Sequence, residues 1–465
     1  MTAQAIVLQP DSSDSDYGNC DKKAGLFQRR CLLPLSFGSG MSIVIILNSS
    51  SPMHLQRVAT IGSSAASSRS SRIVAVDLLR GLVMMLMALD HTRDYFSGLP
   101  FPPEDLSKTF AALFFTRVIT HVCAPVFFLL AGTGAYLSVA RGKSLPQTSR
   151  FFWTRGLWLV FLELTVLRFA WDFTFASVPL MQVLWALGWS MVAMAFIVML
   201  PVRWIAGLGV AIIVFHNLLD IVTPAALGSF SGLWTVLHSP GLVTITPQIK
   251  FLAGYSLIPW VGVMAAGYSM GALFERHDRR KWILGLGIAL TLAFFVLRII
   301  NLYGNGDAGM SSFFPSTVGP WKIQSSPTLT IISFFDTLKY PPSLDYLLMT
   351  LGSALIVLAC LDGVTAERGP WRVLLLFGRV PLFFYVLHIF LIHTMAILVG
   401  SLFHQPVSWL WQGGFILQTP PPGYGQGLPF VYLMWFTALL ILYLPCKWYM
   451  AFKSRHRDWV WLSYL

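Results

Sequence analysis

About ten runs of roughly twenty mostly apolar residues recur along this chain, and no other feature constrains its folding as strongly. A helix needs about twenty apolar residues to cross a bilayer's hydrocarbon core. In that medium only helices and closed barrels satisfy every backbone N–H and C=O. The runs are continuous rather than alternating, which selects helices. The expected spans are 73–91, 117–139, 151–170, 180–200, 203–222, 254–274, 282–301, 343–361, 380–402 and 428–450. Only 11% of residues are charged and 55% are hydrophobic, against about 25% charged in soluble proteins. The expected fold class is all-α: a polytopic transmembrane helical bundle.

Charge gives the bundle a direction. The net charge of +12 is the kind of excess that suggests nucleic acid in a soluble protein. Here the cations gather in alternate loops: Arg141, Lys143 and Arg150 after the second span, Arg203 after the fourth, Arg276, Arg279, Arg280 and Lys281 after the sixth. Arg368, Arg372 and Arg379 follow the eighth, and Lys453, Arg455 and Arg457 the tenth. The positive-inside rule then predicts that both termini are cytoplasmic. The long, charge-poor loops 92–116, 223–253, 302–342 and 403–427 fall outside. The lipid bilayer accounts for the basicity, and no nucleic-acid partner is expected. Residues 1–71 are polar and Ser-rich, and read as a disordered tail or an over-long start. Residues 72–465 form the transmembrane domain. Cys20, Cys31, Cys123, Cys360 and Cys446 are scattered without a C-x-x-C, and no metal site is expected.

The first span carries Asp77, Arg80, Asp90 and His91 within apolar sequence. Ionisable residues inside a membrane are costly and mark functional paths. Eleven residues at about 100° each bring His91 to within roughly 20° of the face of Arg80, about 16 Å away along the axis. Asp77 lies about 60° from Arg80. Asp94 lies three residues beyond His91 and shares its face if the helix continues. A carboxylate beside an imidazole fixes its tautomer and raises its basicity, which suits a general base. The alternative is a wetted helix-end cluster. The second span opens with Arg117 and His121 on one face, followed by Pro125, which bends or breaks the helix and frees a carbonyl; the alternative is a kinked packing helix with interfacial charges. Gly132 and Gly134 suit close helix approach. Glu163, at mid-depth, reads as half of a buried ion pair with an arginine. Arg379, at the inner interface, suits either a cytosolic phosphate or a helix anchor. His388, mid-span among aromatics, is a second-rank binding candidate.

Several blocks together resemble a known family. Arg72-Ile-Val-Ala-Val-Asp77-Leu-Leu-Arg80-Gly and Leu89-Asp90-His91-Thr92-Arg93-Asp94-Tyr95-Phe96 look like the opening of bacterial members of the heparan-alpha-glucosaminide N-acetyltransferase catalytic-domain family. Thr120-His121-Val-Cys-Ala-Pro125, Lys339-Tyr-Pro-Pro-Ser343, Phe377-Gly-Arg379-Val-Pro-Leu-Phe-Phe-Tyr385-Val-Leu-His388 and Trp459-Val-Trp-Leu-Ser-Tyr-Leu465 are similar to its later blocks. More distantly, Arg80 and His91 have the Arg-x10-His spacing of a broad membrane acyltransferase class. The resemblance implies an acyl-CoA-dependent transferase in the cell's inner membrane, moving an acetyl or other acyl group from cytosolic acetyl-CoA or another acyl-CoA to a carbohydrate or amine acceptor outside. It also implies a homodimer as a partner state. His91 would be base or acyl carrier, with Asp94, Asp90 and His121 as the other catalytic candidates. Arg80, Asp77, Arg117, Arg379 and His388 are the substrate-binding candidates. In the lysosomal branch the reactive histidine falls between the first two helices. Here none stands between His91 and His121, so the choice between them stays open. The rival class is a multi-pass transporter or permease, which internal repeats would favour, and the two halves show no self-similarity.

Overall fold

In the computed structural model the described residues are 30–37, 41–48, 73–175, 178–307, 318–365, 369–413, 418–456, 458–459 and 462. Ahead of the bundle, β1 (Arg30–Phe37) and β2 (Met41–Asn48) pair antiparallel, with Arg30 opposite Asn48. The rest of the expected tail, 1–71, lies outside the described residues.

The bundle runs through α1 (Val74–Phe96), α2 (Ala111–Thr120), α3 (Cys123–Ala140), α4 (Leu145–Leu162), α5 (Arg168–Asp172), α6 (Val183–Ile197) and α7 (Val202–Phe215). It continues through α8 (Ser231–Leu237), α9 (Leu257–Met270), α10 (Arg279–Ile300), α11 (Pro327–Phe335), α12 (Leu344–Leu361), α13 (Pro370–Arg379), α14 (Pro381–Leu402) and α15 (Leu428–Arg455). Each expected span overlaps helix, although 180–200 opens on a short strand, Leu180–Met181, before its helix begins at Val183. Among the described residues seven helical stretches are long and apolar enough to cross a membrane. The charges that made α1 conspicuous keep it out of that set, as the charges of α4 and α5 do theirs. On α7, α10 and α15 large apolar side chains face outward, among them Trp204, Leu292 and Leu444. A soluble protein would not leave such surfaces bare.

Helix α1 is the hub, packing against α2, α3, α12, α13, α14 and α15. Its crossing with α13 is set by two glycines: a Cβ on Gly81 would fall 1.8 Å from the Leu374 carbonyl, and one on Gly378 1.8 Å from the Asp77 carbonyl. Gly132 allows the similar approach of α3 to α9, with a Cβ meeting the Met264 carbonyl at 2.1 Å. Gly134 faces open space and plays no such part.

Of the two outcomes open to Pro125, a bend or a break, the structure shows the break. Its ring displaces the carbonyl four residues back, that of His121. Helix α2 stops at Thr120, α3 starts at Cys123, and the freed His121 carbonyl accepts the Tyr346 hydroxyl at 2.8 Å. Glu163 corrects an expectation. It is buried where α4 passes through a π-helical turn to α5. Its carboxyl meets the backbone N–H groups of Gln182, Leu184 and Trp185 at the start of α6, and no arginine pairs with it among the described residues. A helix N-terminus carries partial positive charge and supplies the donors an arginine would have given.

Two devices fold the connecting loops over the His91 end of the bundle. A small sheet of β3 (Leu180–Met181), β4 (Gly241–Thr244) and β5 (Lys250–Ala253) has β5 in the middle, parallel to β3 and antiparallel to β4. Its strands lead directly into Gln182 and Gly254. The fully buried Arg298 of α10 donates to the carbonyls of Phe334, Ser333, Asp336 and Gly319 at 2.6–3.1 Å, and to Asn305. One guanidinium thus gathers the loop after α10 and delivers Thr337, Leu338 and Lys339 inward.

Candidate active site

Beneath those loops lies a cavity of about 680 Å³ at the C-terminal end of α1. Asp90, His91, Arg93 and Asp94 line it from α1, and Arg117 and His121 from the segment after it. Glu104, Tyr255 and Lys339 enter from loops, while Trp171, Tyr385 and Trp409 supply aromatic walls. The structure therefore brings all four catalytic candidates, with Arg117, into one chamber.

His91 is half-buried at its edge. Its Nδ1 lies 2.8 Å from Nε2 of His388 on α14. The Trp171 ring packs edge-on against it at 4.9 Å. Here the expected pairing of His91 with Asp94 is corrected. Asp94 bonds Arg93 at 2.7 Å, because a guanidinium one residue away outcompetes a neutral imidazole for the carboxylate. His388 is corrected as well. It does not line the cavity but stands fully buried behind His91, its Nδ1 3.1 Å from the Phe384 carbonyl.

Asp90 stands at the centre of an electrostatic knot. Arg93 reaches it at 2.8 Å, Arg117 Nη1 meets both of its oxygens at 2.8 Å, and the Thr120 hydroxyl donates at 2.8 Å. Arg117 Nε bonds Glu104 at 2.8 Å. Arg117 thus joins two carboxylates in the cavity wall, Glu104 through Nε and Asp90 through Nη1. Burial alone would raise the Glu104 carboxyl, but Arg117 and the nearby His121 outweigh it and hold it well below the usual range. His121 is almost fully buried; among the described residues neither ring nitrogen has a hydrogen-bond partner within 3.5 Å, and Nε2 is 3.8 Å from Glu104. Compared with His91, it lacks a partner that fixes which nitrogen is free.

Behind this wall Asp336 is buried, its Oδ1 unpaired among the described residues. Burial, reinforced by the charge of Glu104, pushes its carboxyl up to about 8. Lys339 lines the cavity with no carboxylate paired to it among the described residues. Sequence reasoning did not single out Glu104, Asp336 or Tyr255. Lys339 enters the sequence reading only through the family resemblance of Lys339-Tyr-Pro-Pro-Ser343. Their signal is weak because loop residues have no period to betray which way they point.

Asp77, Arg80 and Arg379 form a second cluster at the other end of α1, and none lines the cavity. Arg80 bonds Asp77 at 3.0 Å and the Gly378 carbonyl at 3.2 Å, while Arg379 Nε lies 3.9 Å from Asp77. Arg80 thus faces the end of α13 while His91 faces α14, so one side of α1 addresses two successive helices. Arg379 is the more exposed of the two arginines. Among the described residues no three His, Cys, Asp or Glu side chains gather as a metal-binding group.

Residues 72–300 match the family model described as heparan-alpha-glucosaminide N-acetyltransferase, catalytic. The matched span holds Asp77, Arg80, Asp90, His91, Asp94, Arg117 and His121; the similar blocks around Lys339, Arg379 and His388 lie beyond it. No curated protein matches the chain.

Proposed function

From the premise that the chain belongs, through residues 72–300, to the heparan-alpha-glucosaminide N-acetyltransferase catalytic family, we propose that it transfers an acetyl group from acetyl-CoA to an amino-sugar or glycan acceptor in the cavity at the His91 end. The observation that carries this reading is a half-buried histidine at the edge of a 680 Å³ chamber, at one end of a bundle of apolar helices. The acceptor's amine or hydroxyl attacks the thioester carbonyl. A C–N or C–O bond forms, the C–S bond breaks, His91 takes the acceptor's proton, and the departing thiolate receives it. If His91 first carries the acetyl group itself, its ring nitrogen makes the same attack.

The walls favour a sugar. Trp171, Tyr255, Tyr385 and Trp409 offer flat amphipathic faces, and the paired charges beside them offer hydrogen bonds. At the far end Arg379 suits the phosphates of CoA, since Arg80 is already committed to Asp77 and Gly378. The basic loops after alternate spans support an orientation with that end in the cytosol and the cavity outside; the inner membrane of the cell is the proposed location.

The test is purified protein in detergent with radiolabelled acetyl-CoA and glucosamine-terminated acceptors. Labelled acceptor is expected with wild type and with Glu275→Gln, a control at an exposed residue that does not line the cavity, and none with His91→Ala. Loss in His121→Ala with activity retained in His91→Ala would transfer the role. Counterflow of solute in proteoliposomes without any acetyl transfer would overturn the enzyme reading.

A further inference from the structure

The His91–His388 contact has a direction that the atoms themselves fix. A carbonyl oxygen only accepts hydrogen bonds. Nδ1 of His388 faces the Phe384 carbonyl at 3.1 Å, so Nδ1 carries the proton. The His388 ring is fully buried and no carboxylate pairs with it among the described residues. A second proton there would be an uncompensated buried charge. Nε2 of His388 is therefore a lone-pair acceptor, and it lies 2.8 Å from Nδ1 of His91. The ring planes are 17° apart and the centroids 5.0 Å apart. That separation exceeds the N···N distance by about two ring radii, so the nitrogens meet edge to edge with the lone pair in plane. His91 must then hold its proton on Nδ1, which leaves Nε2 bare.

We infer that His388 is a positioning residue that locks His91 in the Nδ1–H tautomer and presents its Nε2 lone pair as the reactive nitrogen. A histidine ordinarily partitions between two tautomers, and an unfixed ring spends much of its time with a proton where the lone pair is needed. The same task falls to a carboxylate in a Ser-His-Asp triad, where the wrong tautomer costs about 10⁴-fold in rate although the geometry survives. Here a neutral imidazole does it, which suits a low-dielectric site in which an extra carboxylate would be costly. Two surroundings keep the pair aligned. Trp171 holds His91 from the side at 4.9 Å, and Phe384 lies along the His388 ring at 5.4 Å. The inference rests on the reading of His91 as base or acyl carrier, and both roles use this same lone pair.

Two measurements separate failure of the inference from failure of that reading. Nitrogen NMR on protein with ¹⁵N-labelled histidine, with His91 assigned by comparison with His91→Ala, reads the tautomer without any activity. The expected result is a protonated Nδ1 and an unprotonated Nε2 in wild type, and a mixture in His388→Leu. Kinetics then read the consequence. His388→Leu is expected to lose on the order of 10³-fold in kcat with KM for acetyl-CoA little changed. His388→Gln, whose Oε1 can accept from Nδ1–H, recovers most of that loss. A wild-type His91 protonated on Nε2 overturns the inference whatever the activity. So does a folded His388→Leu that keeps wild-type kcat while His91→Ala is dead. If His91→Ala is itself active, the reading of His91 fails, and the NMR result still decides the tautomer.

Discussion

Arg117 grips both carboxylate oxygens of Asp90 through a single Nη1 at 2.8 Å, and so ties α2 to α1 in the cavity wall. Arg93 holds the same carboxylate from the other side. Breaking a buried pair by removing one partner costs about 3–5 kcal/mol, because the remaining charge is stranded. Asp90→Ala takes from each of two guanidiniums one of its two carboxylates, since Arg117 keeps Glu104 and Arg93 keeps Asp94. It should lower thermal stability in detergent by less than that full cost, yet more than Asp94→Ala, which frees only one contact of Arg93. Equal melting temperatures for Asp90→Ala and wild type would mean that the knot carries no stability.

Asp94 tests the revised pairing. If it oriented His91, Asp94→Asn would act like a tautomer error. Since it bonds Arg93 instead, Asp94→Asn should cost less than about tenfold in kcat, roughly 1.4 kcal/mol. A loss as large as that of His388→Leu would restore Asp94 as the orienting group.

Much of this was legible in the residues. Eleven steps at about 100° put Arg80 and His91 on one side of α1, and the two do face successive helices, α13 and α14. Pro125 foretold a bend or break and the freed carbonyl. What failed were partners. The three-residue rule nominated Asp94 for His91, but Arg93 sits closer and binds harder. The partner that His91 does have is 297 residues away, which no local period reveals. Glu163 was assigned an arginine because side-chain charges are visible in a sequence and a helix terminus is not. The cavity's loop residues, Glu104 and Lys339, depend on how Arg298 and the small sheet gather segments far apart in the chain.

Asp336 predicts a pH dependence. Its carboxyl is raised from 3.8 to about 8 in the folded protein, chiefly by burial. A raised folded value means that the native state holds the proton longer than the unfolded chain does. The contribution is fully present below about 4 and is lost as pH climbs to about 8, with a slope near 1.4 kcal/mol per pH unit at most. Melting temperature should therefore fall from pH 5 to pH 8 in wild type and fall less in Asp336→Asn, whose amide mimics the protonated acid. The difference between the two proteins isolates this residue from the other titrating groups. Parallel curves would show that Asp336 is not buried as a neutral acid.

Finally, the glycine crossing of α1 and α13 separates the two ends of the site. A Cβ at Gly378 would lie 1.8 Å from the Asp77 carbonyl. Backbone cannot yield as a flexible side chain can, so Gly378→Ala must push α13 off α1. Overpacking of this kind typically costs about 1–3 kcal/mol. The displacement acts where the Gly378 carbonyl holds Arg80 and where Arg379 stands, whereas the contact between His91 and His388 lies on α14, about 16 Å along α1 from Arg80. Gly378→Ala should therefore raise KM for acetyl-CoA more than it lowers kcat. Gly134→Ala, whose new methyl meets nothing within 4 Å, serves as the control and should change neither. A purely kcat effect in Gly378→Ala, with acetyl-CoA affinity intact, would mean that the Arg80–Arg379 end does not hold the donor.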